Sequence, residues 1–338
     1  IQDINIPEIN DDEVLIKVKF CGICGTDYSI FSGKYSREFL PLVGGHEFSG
    51  IIAKIGKSVK GLNIGDRITA DINLSCGICF YCKHGQKLTC PDFHQLGIHT
   101  NGAFAEYIKA PASQIHVLPE SISFEVGAFV EPISCAIHAA KAMNITLGSS
   151  VCVVGDGNLG IIHTQIAKLQ GAAPIILIGK HKERLNKAQK MGVDYLIDIS
   201  KENPIDIVKE ITNGRGADFV IESVGTPQTY ELAIQMVRPG GRIAAFGITN
   251  KDDLIRVEPY DFVLGEISMV GSCAGVGNDW TDAITLLQYK RIKPEPLFSL
   301  KIPLEELEQV LIESRGDKSL LKIFVSPEIL KREKIGKE

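Results

Sequence analysis

Val151-Cys152-Val153-Val154 runs directly into Gly155-Asp156-Gly157-Asn158-Leu159-Gly160, and apolar residues at Leu159, Ile162, Ile166 and Leu169 continue at helical spacing. A short apolar strand, a tight glycine turn and a helix in immediate succession constrain the fold strongly, because that context gives a G-x-G-x-x-G pattern meaning. The glycines let the backbone approach a pyrophosphate, whose charge is stabilised at the helix N-terminus. Gly155, Gly157, Leu159 and Gly160 are therefore read as dinucleotide contacts, against the plainer reading of a bare α/β turn. Further strands expected near 175–178, 195–197, 219–222, 242–246 and 267–270 alternate with helical segments. That repetition predicts a doubly wound parallel sheet in an α/β protein.

Upstream, Val14 to Phe20 alternates apolar and polar side chains like a half-buried strand and delivers the chain to Cys24-Gly25-Thr26-Asp27. Gly22, Gly25 and Gly33 read as turn residues around it. Gly44-Gly45-His46-Glu47 follows. Cys24, His46 and Glu47 form a borderline-soft donor set that suits zinc and leaves a coordination position open, as a catalytic site requires. A His-Glu pair that merely happens to follow a cysteine is the alternative. Cys76, Cys79, Cys82 and Cys90 lie close enough in sequence for a closed structural zinc site. An iron–sulfur cluster makes similar demands, and four unliganded cysteines are the bland reading. Tyr28, Phe31, Tyr35 and Phe93 are read as pocket lining or as core packing.

Glu131 precedes Pro132 and a run of helix formers from Ala136 to Met143, which places it at the mouth of a helix. It is either a functional carboxylate near a domain junction or only a favourable partner for the helix dipole. At 338 residues and 44% hydrophobic content the chain is long enough for two domains with sizeable cores. The formal charge of -5 offers no basic field for nucleic acid or an anionic membrane. No apolar run is long enough for a membrane span, and four of the nine cysteines fall in one metal-type cluster. A cytoplasmic protein is the expectation.

With these residues in view, the chain resembles the zinc-dependent medium-chain dehydrogenases of the polyol (sorbitol) and threonine dehydrogenase branch. The resemblance rests on Cys24-Gly25-Thr26-Asp27, Gly45-His46-Glu47, the four-cysteine lobe, Glu131-Pro132 and the glycine turn, in the family's order. It implies a β-rich GroES-like catalytic domain over residues 1–134, carrying the structural-zinc lobe 76–90 and completed by 278–338. Residues 135–277 would form the Rossmann domain. The implied activity is hydride transfer between a secondary alcohol and a nicotinamide cofactor, NADP or NAD. Two zinc ions per chain are implied, with Cys24, His46 and Glu47 holding the catalytic one. Thr26 would relay a proton, and Glu131 would lie close to the zinc or substrate. A homodimer or homotetramer is expected, and, because relatives usually have an extra strand pair before this segment, a missing native start.

Two departures bear on substrate. Ser29 stands where the family often has a proton-relaying histidine, which counts against L-threonine. Ser272-Cys273-Ala274-Gly275-Val276 stands where sorbitol dehydrogenases usually carry an arginine and an aromatic residue. A sugar alcohol, its phosphate, a simple secondary alcohol or an aldose fits. A zinc-free reductase of the same fold and a noncatalytic protein are competing classes that do not need the intact ligand set. For the cofactor, Gly179 falls where NAD-specific members carry an acid, and Lys180, His181, Lys182 and Arg184 follow it. The expectation is that no carboxylate repels a 2′-phosphate and that NADP is preferred or accepted comparably, with Lys180 and Arg184 as its partners.

Overall fold

The computed structural model describes residues 1–314, 317 and 319–335. The first part of the chain forms β1 (Glu13–Gly22), α1 (Gly25–Phe31), β2 (Glu47–Ile55), β3 (Arg67–Ala70), β4 (Asn73–Leu74) and α2 (Phe80–Lys83). Next come β5 (His94–Gln95), β6 (Tyr107–Pro111), β7 (Ile115–Val117), α3 (Phe124–Ala128) and α4 (Val130–Met143). The middle of the chain alternates β8 (Val151–Val154), α5 (Asn158–Leu169), β9 (Ile175–Gly179), α6 (Lys182–Lys190), β10 (Tyr195–Asp198) and α7 (Pro204–Ile211). It continues through β11 (Ala217–Glu222), α8 (Pro227–Met236), β12 (Val237–Ala245), α9 (Pro259–Leu264) and β13 (Ser268–Gly271). Last are α10 (Asn278–Gln288), β14 (Phe298–Pro303), α11 (Leu307–Glu313), β15 (Lys322–Ser326) and β16 (Glu333–Lys334). Among the described residues no helix is long and apolar enough to cross a membrane.

The chain divides into two compact units, Ile1–Ser134 with Gly275–Glu338, and Cys135–Ala274. In the second unit six strands run β10-β9-β8-β11-β12-β13, every neighbouring pair parallel. The order reverses at β8, so the Rossmann topology expected from the glycine turn is present. All four residues of β8 are buried, as in a strand covered on both faces. Proline at the first turn of α7 and α8, behind Asn203 and Thr226 caps that accept from Ile205 N–H and Thr229 N–H, starts those helices. Val154, Ile178, Val208, Val220 and Met236 belong to the core of this unit.

The first unit is β-rich. Its main sheet runs β16-β14-β15-β1-β2-β3-β7, with β6 also paired to β1. β1 is the hub. Its end pairs Gly22 with Glu47 on β2 and with Phe324 on β15. This register brings the Cys24 turn, the His46-Glu47 corner and the start of β15 to one place. Gly25, expected to be a turn residue, instead opens α1, with Cys24 at the N-cap. The returning segment packs by Trp280, whose indole N–H donates to Gly275 O at 2.9 Å and whose ring stacks on His116 at 5.8 Å.

Candidate active site

Cys24, His46 and Glu47 each present one donor atom, and the three atoms lie within 4.8 Å of one another. Cys24 is positioned at the start of α1, where its N–H donates to Asp27 Oδ2 at 2.7 Å. Asp27 also turns Oδ1 toward His46 Nδ1, 3.4 Å away. Both of those atoms are buried, and neither makes a hydrogen bond of good geometry among the described residues. Glu47 is held from the other side by Lys322, whose ammonium bonds Glu47 Oε2 and donates to Ile23 O at 3.1 Å.

The charges explain what such a site can hold. Asp27, Glu47 and a Cys24 thiolate set three negative groups against the Lys322 ammonium and the His46 imidazole, so negative charge is in excess even with His46 protonated. A buried excess of negative charge is costly unless a cation neutralises it. Burial works against a charged imidazole at His46, yet the Asp27 and Cys24 charges hold its pKa well above the ordinary value. Burial also opposes the Lys322 ammonium, and Glu47 and Cys24 overcome it. The donor set, the orphaned buried atoms and the charge deficit all fit a dication with Cys24, His46 and Glu47 as ligands.

Thr26 lies in the first turn of α1, two positions beyond Cys24. Glu131 lies in the first turn of α4, is buried, and acts electrostatically on Lys322. Two of the carboxylates of the region, Glu47 and Glu131, therefore work on one lysine. Tyr28 pairs with Ser314 at 2.7 Å and, with Phe31, Ser32, Leu311 and Ile312, lines a cavity of about 240 Å³.

Cys76, Cys79, Cys82 and Cys90 form a second donor cluster. Cys79 and Cys90 sulfurs are 3.8 Å apart, and Cys90 and Cys76 sulfurs 3.6 Å. Four sulfurs at about 2.3 Å from one tetrahedral ion stand about 3.8 Å from each other, so the lobe has the geometry of a closed zinc site. Backbone N–H groups of Ile78 and Cys79 pull the Cys76 thiol down to about 7, toward the thiolate that a metal needs. Lys87, inside the lobe, is anchored to the buried Asp71 at 2.6 Å. A Cys79→Ser variant is expected to lose half of its zinc and to melt at a lower temperature, with the remaining folded protein still turning over. Unchanged zinc content by metal analysis would show that the lobe is not a metal site.

In the second unit, Gly155 has φ of +122°, and a Cβ at Gly160 would lie 1.8 Å from Gly155 O, so the turn requires glycine at both positions. Gly157 caps α5 and Leu159 lies in its first turn. Gly179 ends β9, Lys180 is exposed, and Arg184 is half-buried on α6. The absence of a carboxylate at this strand end, expected from Gly179, is not what the structure shows. Asp156, from the glycine turn, puts its carboxylate there and accepts from Lys180 N–H at 2.8 Å and His181 N–H at 2.7 Å.

Comparison with known proteins agrees with both units. Residues 10–120 match the alcohol dehydrogenase GroES-like domain, and residues 159–289 match the zinc-binding dehydrogenase family. The chain is 36% identical to D-arabitol-phosphate dehydrogenase of Enterococcus avium, over 90% of this chain and 87% of that one. This chain belongs to the zinc-dependent medium-chain dehydrogenases. L-threonine 3-dehydrogenase of Bacillus licheniformis is 35% identical to this dehydrogenase, over 90% of this chain and 88% of that one. A zinc-binding dehydrogenase from Sinorhizobium meliloti, solved bound to NADP, superposes with a TM-score of 0.91 at 31% identity, covering 96% and 95% of the two chains.

Three residues around the dehydrogenase's sites escape the motifs. Lys322 carries a signal, a lone lysine within Leu320-Leu321-Lys322-Ile323-Phe324-Val325. Such a lysine in a strand buried at every position must find a counter-charge. Asp71 and Asp156 carry no comparable signal.

Proposed function

We propose that this dehydrogenase oxidises the secondary alcohol of a polyol, a sugar alcohol or its phosphate, with NADP or NAD as hydride acceptor. The observation that carries the reading is the convergence of the Cys24, His46 and Glu47 donor atoms within 4.8 Å of one another. In this proposal those three residues hold a catalytic zinc and the four cysteines a structural one. Zinc at the first site would supply a Lewis acid that eases deprotonation of an alcohol hydroxyl. Thr26 accepts and passes on that proton at Oγ1. With Ser29 three positions on, relay beyond Thr26 runs through water. Lys322 fixes one oxygen of Glu47.

The Enterococcus avium relative supports a phosphorylated sugar alcohol. L-threonine is the second reading, on the Bacillus licheniformis relative, with Ser29 as the residue that weighs against it. Gly155, Gly157, Leu159 and Gly160 take the cofactor's pyrophosphate; Gly179, Lys180 and Arg184 flank its adenosine ribose. The exposed apolar side chains of Tyr260, Val263 and Leu264, just before the end strand β13, support a homodimer or homotetramer. Nine free cysteines support a reducing, cytoplasmic setting.

The test is reduced-nicotinamide formation by zinc-loaded protein across free sugar alcohols, their phosphates, simple secondary alcohols and L-threonine. Turnover confined to L-threonine would replace the leading substrate class, and none on any alcohol would overturn the reading. Glu131 enters as a supporting carboxylate. Glu131→Ala is expected to lower turnover about 10–100-fold while the zinc content stays near two per chain. Loss of the catalytic zinc in that variant would make Glu131 a ligand instead.

A further inference from the structure

Gly179 has no room for a side chain. A Cβ built there lies 2.5 Å from the Cβ and Oδ2 of Asp156 and 2.8 Å from its Cγ. The space that a strand-end acid would enter is therefore already filled by an acid from the neighbouring glycine turn. The β8 and β9 strands are adjacent and parallel, so the turn after β8 and the end of β9 lie side by side at the carboxyl edge of the sheet.

Asp156 is buried, and its partners are all at that strand end. Oδ2 accepts from Lys180 N–H and His181 N–H at 2.8 and 2.7 Å. His181 Nδ1 lies 2.9 Å from Oδ1 and 3.0 Å from Oδ2. The Arg184 guanidinium approaches Oδ1 at 3.8 Å. One carboxylate thus gathers the backbone at 180–181, an imidazole and a guanidinium, and it offsets the positive charge of the segment most able to meet a 2′-phosphate. Lys180, whose side chain is exposed, stays outside the cluster.

We propose that Asp156 sets the balance between NADP and NAD: a carboxylate lent to the end of β9 by the glycine turn, restraining a basic pocket so that both cofactors are accepted. This rests on the reading that the adenosine ribose binds at the end of β9. Asp156→Asn keeps the size and an acceptor oxygen but removes the charge, so that this carboxylate no longer offsets the positive charge at the end of β9. A second change relocates the acid, combining Asp156→Gly, which empties the space, with Gly179→Asp, which refills it from the strand end.

The experiment is calorimetric binding of NADP, NAD, 2′,5′-ADP and 5′-AMP to the full chain, with Lys180→Ala as the reference variant and thermal melting as the check on folding. Asp156→Asn is expected to raise the NADP-to-NAD affinity ratio about tenfold or more, with 2′,5′-ADP following NADP and 5′-AMP unmoved. The relocated acid is expected to return the ratio to the parent value or below it. If Lys180→Ala weakens NADP alone while Asp156→Asn leaves the ratio unchanged, the ribose site stands and Asp156 only holds the loop, which overturns the proposal. Equal weakening of both cofactors by Asp156→Asn would overturn it too. Should neither variant change the binding of any of the four ligands, the site reading itself falls and the proposal with it. Poor folding of the relocated-acid protein leaves the decision to Asp156→Asn.

Discussion

A Cys24→Ala variant is expected to lose turnover and to keep its fold. Cys24 supplies the only thiolate of its cluster, and removing it takes away the softest of three ligands and one of the charges that a dication balances. The side chain is only half-buried at the cap of α1, so truncation leaves no large cavity. The four-cysteine lobe is closed by its own ligands and should keep its ion. Metal analysis is expected to fall from two zinc ions per chain to one, with circular dichroism unchanged and the turnover signal at background. Mild chelation of the parent should follow the same order, because an open site exchanges its ion more readily than a four-cysteine site. Full activity in Cys24→Ala, or a single zinc in the parent, would end the two-site assignment.

Replacing Lys322 by methionine is expected to cost stability in a way that depends on the metal. In the metal-free protein Lys322 is, among the described residues, the only counter-charge in contact with the buried Glu47, and removing one partner of such a pair typically costs about 3–5 kcal/mol. In the zinc-loaded protein the dication takes over the neutralisation, and the loss should shrink to about that of an ordinary core substitution, below about 1.5 kcal/mol. Lys322→Arg should recover part of the loss, limited by the space beside Gly22, where even a Cβ would meet Lys322 Cδ at 3.3 Å. Denaturant unfolding of the metal-free and zinc-loaded forms gives the two values. Equal losses in both forms would mean that Lys322 acts by packing alone.

How much of this was legible in the sequence depended on distance along the chain. The metal ligands come in short motifs whose residue types state their own chemistry, and Gly155 to Gly160 announces its turn by the positions where no side chain fits. The parallel strands show themselves as apolar runs such as Val151–Val154. The start of α1 was hidden because Gly25 suggests a turn, whereas Asp27 stabilises a helix there through the N–H of Cys24. Lys322 was invisible in its role because its partner lies 275 residues away, and only pairing of β15 with β1 brings them together. Asp156 occupies a position that the glycine pattern leaves open to any residue, so nothing in the motif marks the one that reaches the next strand. The expectation of an acid-free ribose site followed from reading Gly179 alone.

The placement of β15 has a consequence for how the protein is made. β15 sits between β14 and β1 in the main sheet, yet it follows all of Cys135–Ala274 in the chain. Cys135–Ala274 is contiguous, so on the ribosome it can collapse as a block while the two halves of the first unit wait for each other. Until residue 322 emerges, the end of β1 at Cys21 and Gly22 lacks its partner, although β6 already pairs with Glu13 to Lys17, and Glu47 lacks its ammonium. While Cys135–Ala274 is being made, the nascent first unit therefore carries an unpaired strand end and an uncompensated carboxylate, the kind of intermediate that chaperones hold. Early zinc capture by Cys24, His46 and Glu47 would relieve the second of these defects before β15 is made.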